Sequence, residues 1–292
     1  MTVFNLGSIN ADFVYHVPHL PGPGETLSAA KLTRGLGGKG ANMSVATARA
    51  GARVVHIGGV GKDGRWAVER LLEYGVDTRH IAETEAATGH AVIYLDPEAE
   101  NTIVIFPGAN REVTAEMVEA ALSEAGPGDT LIFQNETSMQ REAAEAARAK
   151  GMRVAYAAAP FEAASVRAVM DLLDLLVLNA VEAEQLQRET GSNLADLPVS
   201  DIVVTRGAEG CLWISQEDRA GRSFEALKVE AVDTTGAGDT FTGYLVACLD
   251  RGMPMAQAVS QAMRAAALMV TRHGTADVIP DLKEIEDHVF GR

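Results

Sequence analysis

The chain reads as an α/β protein, a three-layer α/β/α arrangement around a mostly parallel sheet with a small β-sheet lid. Three observations predict this. Short, nearly continuous runs of Val, Ile, Leu and Phe alternate with longer segments of helical periodicity, as strands covered on both faces require. Several of the helical segments close on a glycine suited to a left-handed C-cap. Two segments, 11–37 and 88–106, break the alternation and read as extended chain. The chain has 292 residues, of which 47% are hydrophobic, enough to fill one large core. The expectation is therefore a single unit over 1–292, with the lid discontinuous in sequence.

In chain order, residues 2–7 and 53–59 predict the first two sheet strands. Residues 130–134, 152–156, 174–178 and 201–205 predict four more. Helices are predicted over 41–50, 64–74, 114–124, 138–150 and 180–190, four of them followed at once by Gly51, Gly75, Gly151 and Gly191. Alternating strands and helices imply a parallel sheet with helices on both faces. Segment 11–37 contains Pro18, Pro21 and Pro23, and 88–106 holds two alternating runs about a polar turn with Pro97. Neither is a β-α unit, so both are expected to leave the main sheet and pair as the lid. Beyond residue 223 the pattern predicts a strand, helices near 238–250 and 254–272, and a short helix near 281–290.

Charge excludes one class of partner. Lys and Arg number 25 against 40 Asp and Glu, a net charge of −15, whereas phosphate backbones call for basic patches. A small anion remains compatible, because backbone N–H groups can bind it locally. Cys211 and Cys248 lie far apart in apolar stretches and read as buried, reduced thiols. The first residues show no basic region followed by an apolar one, and no apolar run approaches the ~18 residues that span a membrane. A soluble, cytoplasmic protein is expected.

Three glycine-rich stretches carry the chemistry. GVGKDG (59–64) fits the G-x-G-x-x-G pattern between a strand and a helix, so a dinucleotide-binding oxidoreductase has to be weighed against a structural turn with Asp63 near a helix start. GLGGKGAN (35–42) is not a P-loop, since the spacing differs and Gly40 stands where a Ser or Thr would bind magnesium. It is still a donor-rich loop before a helix. DTTGAGDTF (233–241) places Gly236, Ala237 and Gly238 at the start of a helix whose stripe is Phe241, Tyr244, Leu245, Cys248 and Leu249. The first N–H groups of a helix lack internal partners and carry positive potential, so small residues there leave an opening for phosphate. Asp239 then reads equally as an N-cap or as a catalyst.

Position separates the two readings. Asn10 and Asp12, Glu136, Asn179 and Glu182, and the stretch 205–210 all follow the C-terminal ends of predicted parallel strands, where open α/β sheets bind ligands. Asn179 and Glu182 alone would also fit a helix-capping box. Their coincidence with the others favours one site.

Together these residues resemble the ribokinase-like (pfkB) family of carbohydrate kinases along nearly the whole chain. The resemblance rests on GSINAD (7–12), PGET (23–26), GGKGAN (37–42), GAN (108–110), Asn179-x-x-Glu182 and VDTTGAGDTF (232–241). It implies ATP-dependent phosphorylation of a sugar primary hydroxyl, with D-ribose first and fructose, a sugar acid or a nucleoside as alternatives. It implies that Asn10, Asp12, Gly38, Lys39, Asn42 and Glu136 hold the sugar, and that Asn179, Thr205, Gly207, Gly210 and Gly238 line the ATP site. Glu182 would orient Mg²⁺ through water. Gly236, Ala237 and Gly238 would form the anion hole, and Asp239 would be the general base. Asp233 and Thr235, with Arg272 and Gly274, would hold a monovalent cation, K⁺. A homodimer through the lid is implied as well. A sugar sensor that binds without phosphorylating is disfavoured, since sensing needs no base at Asp239. The chain departs from the family pattern at Ala180 and Val181, at AYAAAP (155–160), at Trp66 and at Val278. The first concerns the nucleotide side, the second makes the loop after its strand more apolar, and the last concerns the cation.

Overall fold

The computed structural model describes residues 1–98, 100–217 and 220–290. Strand β1 (Thr2–Leu6) lies inside a nine-stranded sheet with β4 (Arg53–Val60), β5 (Asp77–Glu83), β8 (Thr130–Gln134), β9 (Arg153–Ala157), β10 (Leu175–Asn179), β11 (Asp201–Thr205), β12 (Cys211–Ser215) and β13 (Ala220–Phe224). The order is β13-β12-β11-β10-β9-β8-β1-β4-β5, and every pairing from β5 to β11 is parallel. β12 and β13 add an antiparallel edge.

Alternate residues of the central strands feed two cores. Val3, Val54 and Ile132 face a layer built on α1 (Lys39–Arg49), α2 (Arg65–Glu73), α7 (Ala237–Asp250), α8 (Met255–Met269) and α9 (Leu282–Asp287). Phe4, Leu6, Val55, Ile57, Leu131 and Phe133 face the other layer, on α3 (Ala115–Leu122), α4 (Gln140–Ala149), α5 (Ala163–Val169) and α6 (Ala180–Thr190). Strands buried on both faces need apolar residues at every position, which is why their sequences run almost unbroken. Gly51, Gly75, Gly151 and Gly191 follow their helices with φ between 69° and 87°, the left-handed geometry that glycine reaches without strain.

The second sheet has the order β3-β2-β6-β7, from β2 (Asn10–His16), β3 (Lys31–Gly37), β6 (Gly89–Leu95) and β7 (Asn101–Phe106). The segments 11–37 and 88–106 do pair, as the sequence predicts. Residue 99, between β6 and β7 in sequence, lies outside the described residues. β7 is an edge strand, and Ile103, Val104, Ile105 and Phe106 are all exposed.

Two expectations need correcting. The strand predicted beyond residue 223 is not found: among the described residues no strand follows β13, which ends at Phe224, and only an isolated bridge at Lys228 precedes α7. Asp239 is not an N-cap: α7 begins at Ala237, its cap is Gly236 at φ 76°, and Asp239 falls in the first turn. Among the described residues, no helix is long and apolar enough to cross a membrane.

Candidate active site

The C-terminal ends of the parallel strands open onto a cavity of about 230 Å³. Lys39, Asn179, Glu182, Thr205, Gly236, Gly238 and Asp239 all line it, with Thr234 and Thr242 beside them. The sequence reading brought the first seven together but did not single out the two threonines.

The start of α7 forms one wall. Ala237 N–H is taken by Thr234 O at 3.2 Å and Thr240 N–H by Gly236 O at 2.8 Å. The N–H groups of Gly238 and Asp239 between them have no backbone partner among the described residues, as the first turn of a helix dictates. A Cβ on Gly238 would meet nothing within 4 Å, so the approach is open. Asp239 is buried, and its Oδ2 accepts from Asn42 Nδ2 at 2.9 Å. Oδ1 is left free of hydrogen bonds among the described residues. Asn42 thus stands behind Asp239 and orients it.

The second wall is the junction of β1, β2 and α1. Asn110 joins it from the GAN triplet: its Oδ1 accepts from Ile9 N at 2.9 Å, and its Nδ2 donates to Asn10 Oδ1 at 2.8 Å. Ser8 Oγ donates to Glu136 Oε2 and accepts from Gly40 N at 3.2 Å, while Lys39 N donates to the same Glu136 oxygen at 3.1 Å. Ser8 has no assigned role in the sequence reading, although it lies inside GSINAD. Gly38, the cap of α1, has φ 92°, and a Cβ there would lie 2.9 Å from both Asn10 N and Ser8 O.

The electrostatics tie these groups together. Burial pushes the Asp12 carboxyl up to about 7, with the Glu136 and then the Asp239 charges adding to it. Lys39 is the cation among these acids. Asp239 foremost holds its ammonium charged and its pKa raised, against burial, and Glu136 and Glu182 contribute further. One lysine therefore faces both the Glu136 carboxylate at the β1–β2–α1 junction and the Glu182 and Asp239 carboxylates of the α6–α7 side.

Asn179 and Glu182 form the capping box that the sequence alone allowed. Asn179 Oδ1 accepts from Glu182 N at 2.9 Å, and Glu182 Oε2 accepts from Asn179 N at 2.7 Å. The box also fixes Glu182 at the rim of the cavity, where burial raises its pKa, while the Asn179 N–H and Lys39 oppose that rise. Gly207 and Gly210 lie outside the cavity lining. A Cβ at Gly210 would fall 1.9 Å from Phe224 O, so this glycine admits the β13 backbone, whereas Gly207 is open. Ala157 and Ala159, from the apolar stretch 155–160, also line the cavity.

Beyond the start of α7, Asp233 accepts Thr235 N at Oδ1 (2.9 Å) and Gly274 N at Oδ2 (3.2 Å). Three of the four residues suggested for a monovalent cation thus meet. The Arg272 side chain turns instead to Glu284 at 2.8 Å and to Val278 O at 3.3 Å.

The GVGKDG turn holds no space for a pyrophosphate. A Cβ at Gly61 would lie 2.4 Å from Ala86 O and 2.8 Å from Thr88 N. Asp63 accepts both Thr88 N (3.0 Å) and Thr88 Oγ1 (2.8 Å), so the motif clasps the start of the lid segment. Trp66, where the family pattern has glycine, carries the Arg34 guanidinium of β3 over its ring at 4.3 Å.

A doubly covered parallel sheet carries an open helix start with an acid behind it, and the chain belongs to the pfkB family of carbohydrate kinases, which it matches over residues 2–282. It is 34% identical to the ribokinase of Haemophilus influenzae, with 97% of this chain and 96% of that protein covered. The structure is similar to that of the Thermotoga maritima ribokinase, with a TM-score of 0.86, 31% identity and 98% of each chain covered. An Arabidopsis thaliana ribokinase complexed with ribose and ATP superposes with a TM-score of 0.84 at 27% identity, covering 98% of this chain and 97% of that one.

Proposed function

We propose that this carbohydrate kinase transfers the γ-phosphoryl group of ATP to the primary hydroxyl of D-ribose, giving D-ribose 5-phosphate and ADP. The observation that carries the proposal is the placement of Asp239. Its free Oδ1 stands in the first turn of a helix whose open N–H groups border the same cavity as Lys39. The sugar lies against Asn10, Asp12, Gly38, Lys39, Asn42 and Glu136, whose carboxylates and amides supply acceptors and donors for neighbouring hydroxyls. Asn42 reaches this set through Asp239. ATP lies along Asn179, Thr205, Gly207, Gly210 and Gly238.

Asp239 Oδ1 takes the hydroxyl proton as the new O–P bond forms and the bond from the γ-phosphorus to the β-bridging oxygen breaks. In the anion hole of Gly236, Ala237 and Gly238, the open N–H groups of Gly238 and Asp239 meet the charge on the transferring oxygens. Lys39 neutralises part of the negative charge that would otherwise gather on Asp239, Glu136 and Glu182.

Magnesium fits as a partner of ATP held through water, because Glu182 lines the cavity and only its Oε2 is committed to the capping box. When bound, it neutralises phosphate charge. K⁺ fits the loop at Asp233, Thr235 and Gly274, where the Asp233 carboxylate supplies hard oxygen ligands. Arg272 supports this loop through its backbone position, its side chain being engaged elsewhere. The exposed apolar β7 supports a homodimer through the lid, which light scattering in solution tests directly. An ADP-release assay over pentoses, hexoses, sugar acids and nucleosides tests the substrate. Turnover highest with D-ribose supports the proposal, and turnover highest with another sugar or a nucleoside reassigns it.

A further inference from the structure

Within the apolar layer below the site lies a polar island. Asn5, Ser44, His56 and Gln134 are each fully buried. Asn5 and His56 face each other in register on the paired strands β1 and β4, and Ser44 reaches them from α1. Gln134 Nε2 donates to Asn5 Oδ1 at 2.9 Å. Asn5 Nδ2 donates to Ser44 Oγ at 2.8 Å and to Gly40 O at 2.7 Å. Ser44 Oγ meets His56 Nδ1 at 2.8 Å, and His56 Nε2 meets Gly7 O at 3.0 Å.

The direction of every bond follows from the last. A carbonyl only accepts, so His56 carries its proton on Nε2. Nδ1 then accepts, Ser44 donates to it, and Asn5 donates to Ser44. The chain runs one way, Gln134 to Asn5 to Ser44 to His56 to Gly7 O. Burial pulls the imidazole pKa down to about 4, in keeping with a neutral ring.

Four polar side chains in an apolar layer gain little over well-packed hydrophobic ones, so their value lies in what they hold. They hold two carbonyls, Gly7 O and Gly40 O. These glycines touch backbone to backbone: a Cβ on Gly40 would lie 2.3 Å from Gly7 Cα, and one on Gly7 2.5 Å from Gly40 Cα. Gly7 leads directly into Ser8 and Asn10, and Gly40 follows Lys39. Ser8 in turn bonds Gly40 N and Glu136. Any slip of β1 against α1 displaces Ser8, Asn10, Lys39 and Glu136 together.

We infer that Asn5, Ser44, His56 and Gln134 are positioning residues: a one-directional hydrogen-bond chain that locks the end of β1 to the start of α1 and so sets the sugar-facing groups. The inference rests on the sugar-kinase reading of that wall. Ser44→Ala removes the donor to His56 Nδ1, and His56→Leu removes both ring bonds. His56→Gln can restore the bond to Gly7 O. The sugar KM is expected to rise about tenfold in Ser44→Ala and His56→Leu, with the ATP KM within about twofold of wild type and partial recovery in His56→Gln. Equal shifts in both KM values would overturn the inference, since general loosening does not choose between substrates. Nitrogen-15 NMR of the wild-type imidazole gives a reading that needs no folded variant. A proton on Nε2 supports the chain, and a proton on Nδ1 overturns it. If wild type phosphorylates no sugar, the proposed function fails while the tautomer result still stands.

Discussion

Asp12 links the site to the stability of the whole chain. In the native state burial, then Glu136, then Asp239 push its carboxyl up to about 7, whereas an unfolded aspartate ionises near 3.8. The native pKa is raised, so the native state holds a proton that the unfolded chain releases. Stability from this group is therefore fully present below pH 3.8 and is lost as pH rises to about 7. The full difference corresponds to about 4 kcal/mol, of which about 2.5 kcal/mol falls between pH 5 and pH 8. Asp12→Asn keeps the shape and removes the titration. Urea denaturation of the ligand-free wild type and variant at the two pH values isolates the effect, because titrations not coupled to Asp12 cancel in the difference. The variant is expected to gain on wild type by about 2.5 kcal/mol more at pH 8 than at pH 5, while losing sugar affinity. A wild-type-to-variant gap that does not change with pH would refute the reasoning.

Three further outcomes follow from the same geometry. If sugar hydroxyls bind the ionised Asp12, the sugar KM should be about tenfold higher at pH 6 than above pH 8, with the ATP KM flat; a level sugar KM contradicts this. Gly40→Ala places a Cβ 2.3 Å from Gly7 Cα and Ser8 N, both rigid backbone, so it should cost about 3 kcal/mol in a denaturation series, and an unchanged midpoint would show that the junction can yield. The rate should be higher in K⁺ than in tetramethylammonium and lose that difference in Asp233→Asn; equal rates in both salts would remove the cation from the account.

Much of the scaffold was legible because central strands covered on both faces must be apolar throughout. The runs at 130–134 and 201–205 coincide with β8 and β11 to the residue. Edge strands carry no such demand. β5, DTRHIAE, is polar at most positions, and the β12–β13 hairpin sits at the other edge, so neither stood out from its pattern. The glycine-rich start of α7 was readable, yet its cap was not. Gly236 takes the left-handed cap position, which leaves Asp239 in the first turn instead of before it. Asn179 and Glu182 show that a local reading and a site reading can both hold, since the capping box faces the cavity. Ser8, Asn110 and the Asn5–His56 pair depend on contacts between residues about 50 to more than 100 positions apart, which spacing alone does not reveal. A signal was nevertheless present: Asn5 and His56 each interrupt an apolar strand, and parallel pairing sets them side by side.

The central claim is that Asp239 takes the proton while phosphate moves from ATP to the sugar's primary hydroxyl. Phosphorus-31 NMR of a mixture of ATP, D-ribose and enzyme reads this directly, for wild type and for Asp239→Asn. The account predicts D-ribose 5-phosphate and ADP in equal amounts from wild type, and a rate lower by ~10² or more from the variant with both substrates still bound. Inorganic phosphate with no sugar phosphate, or a variant that turns over as fast as wild type, would contradict it.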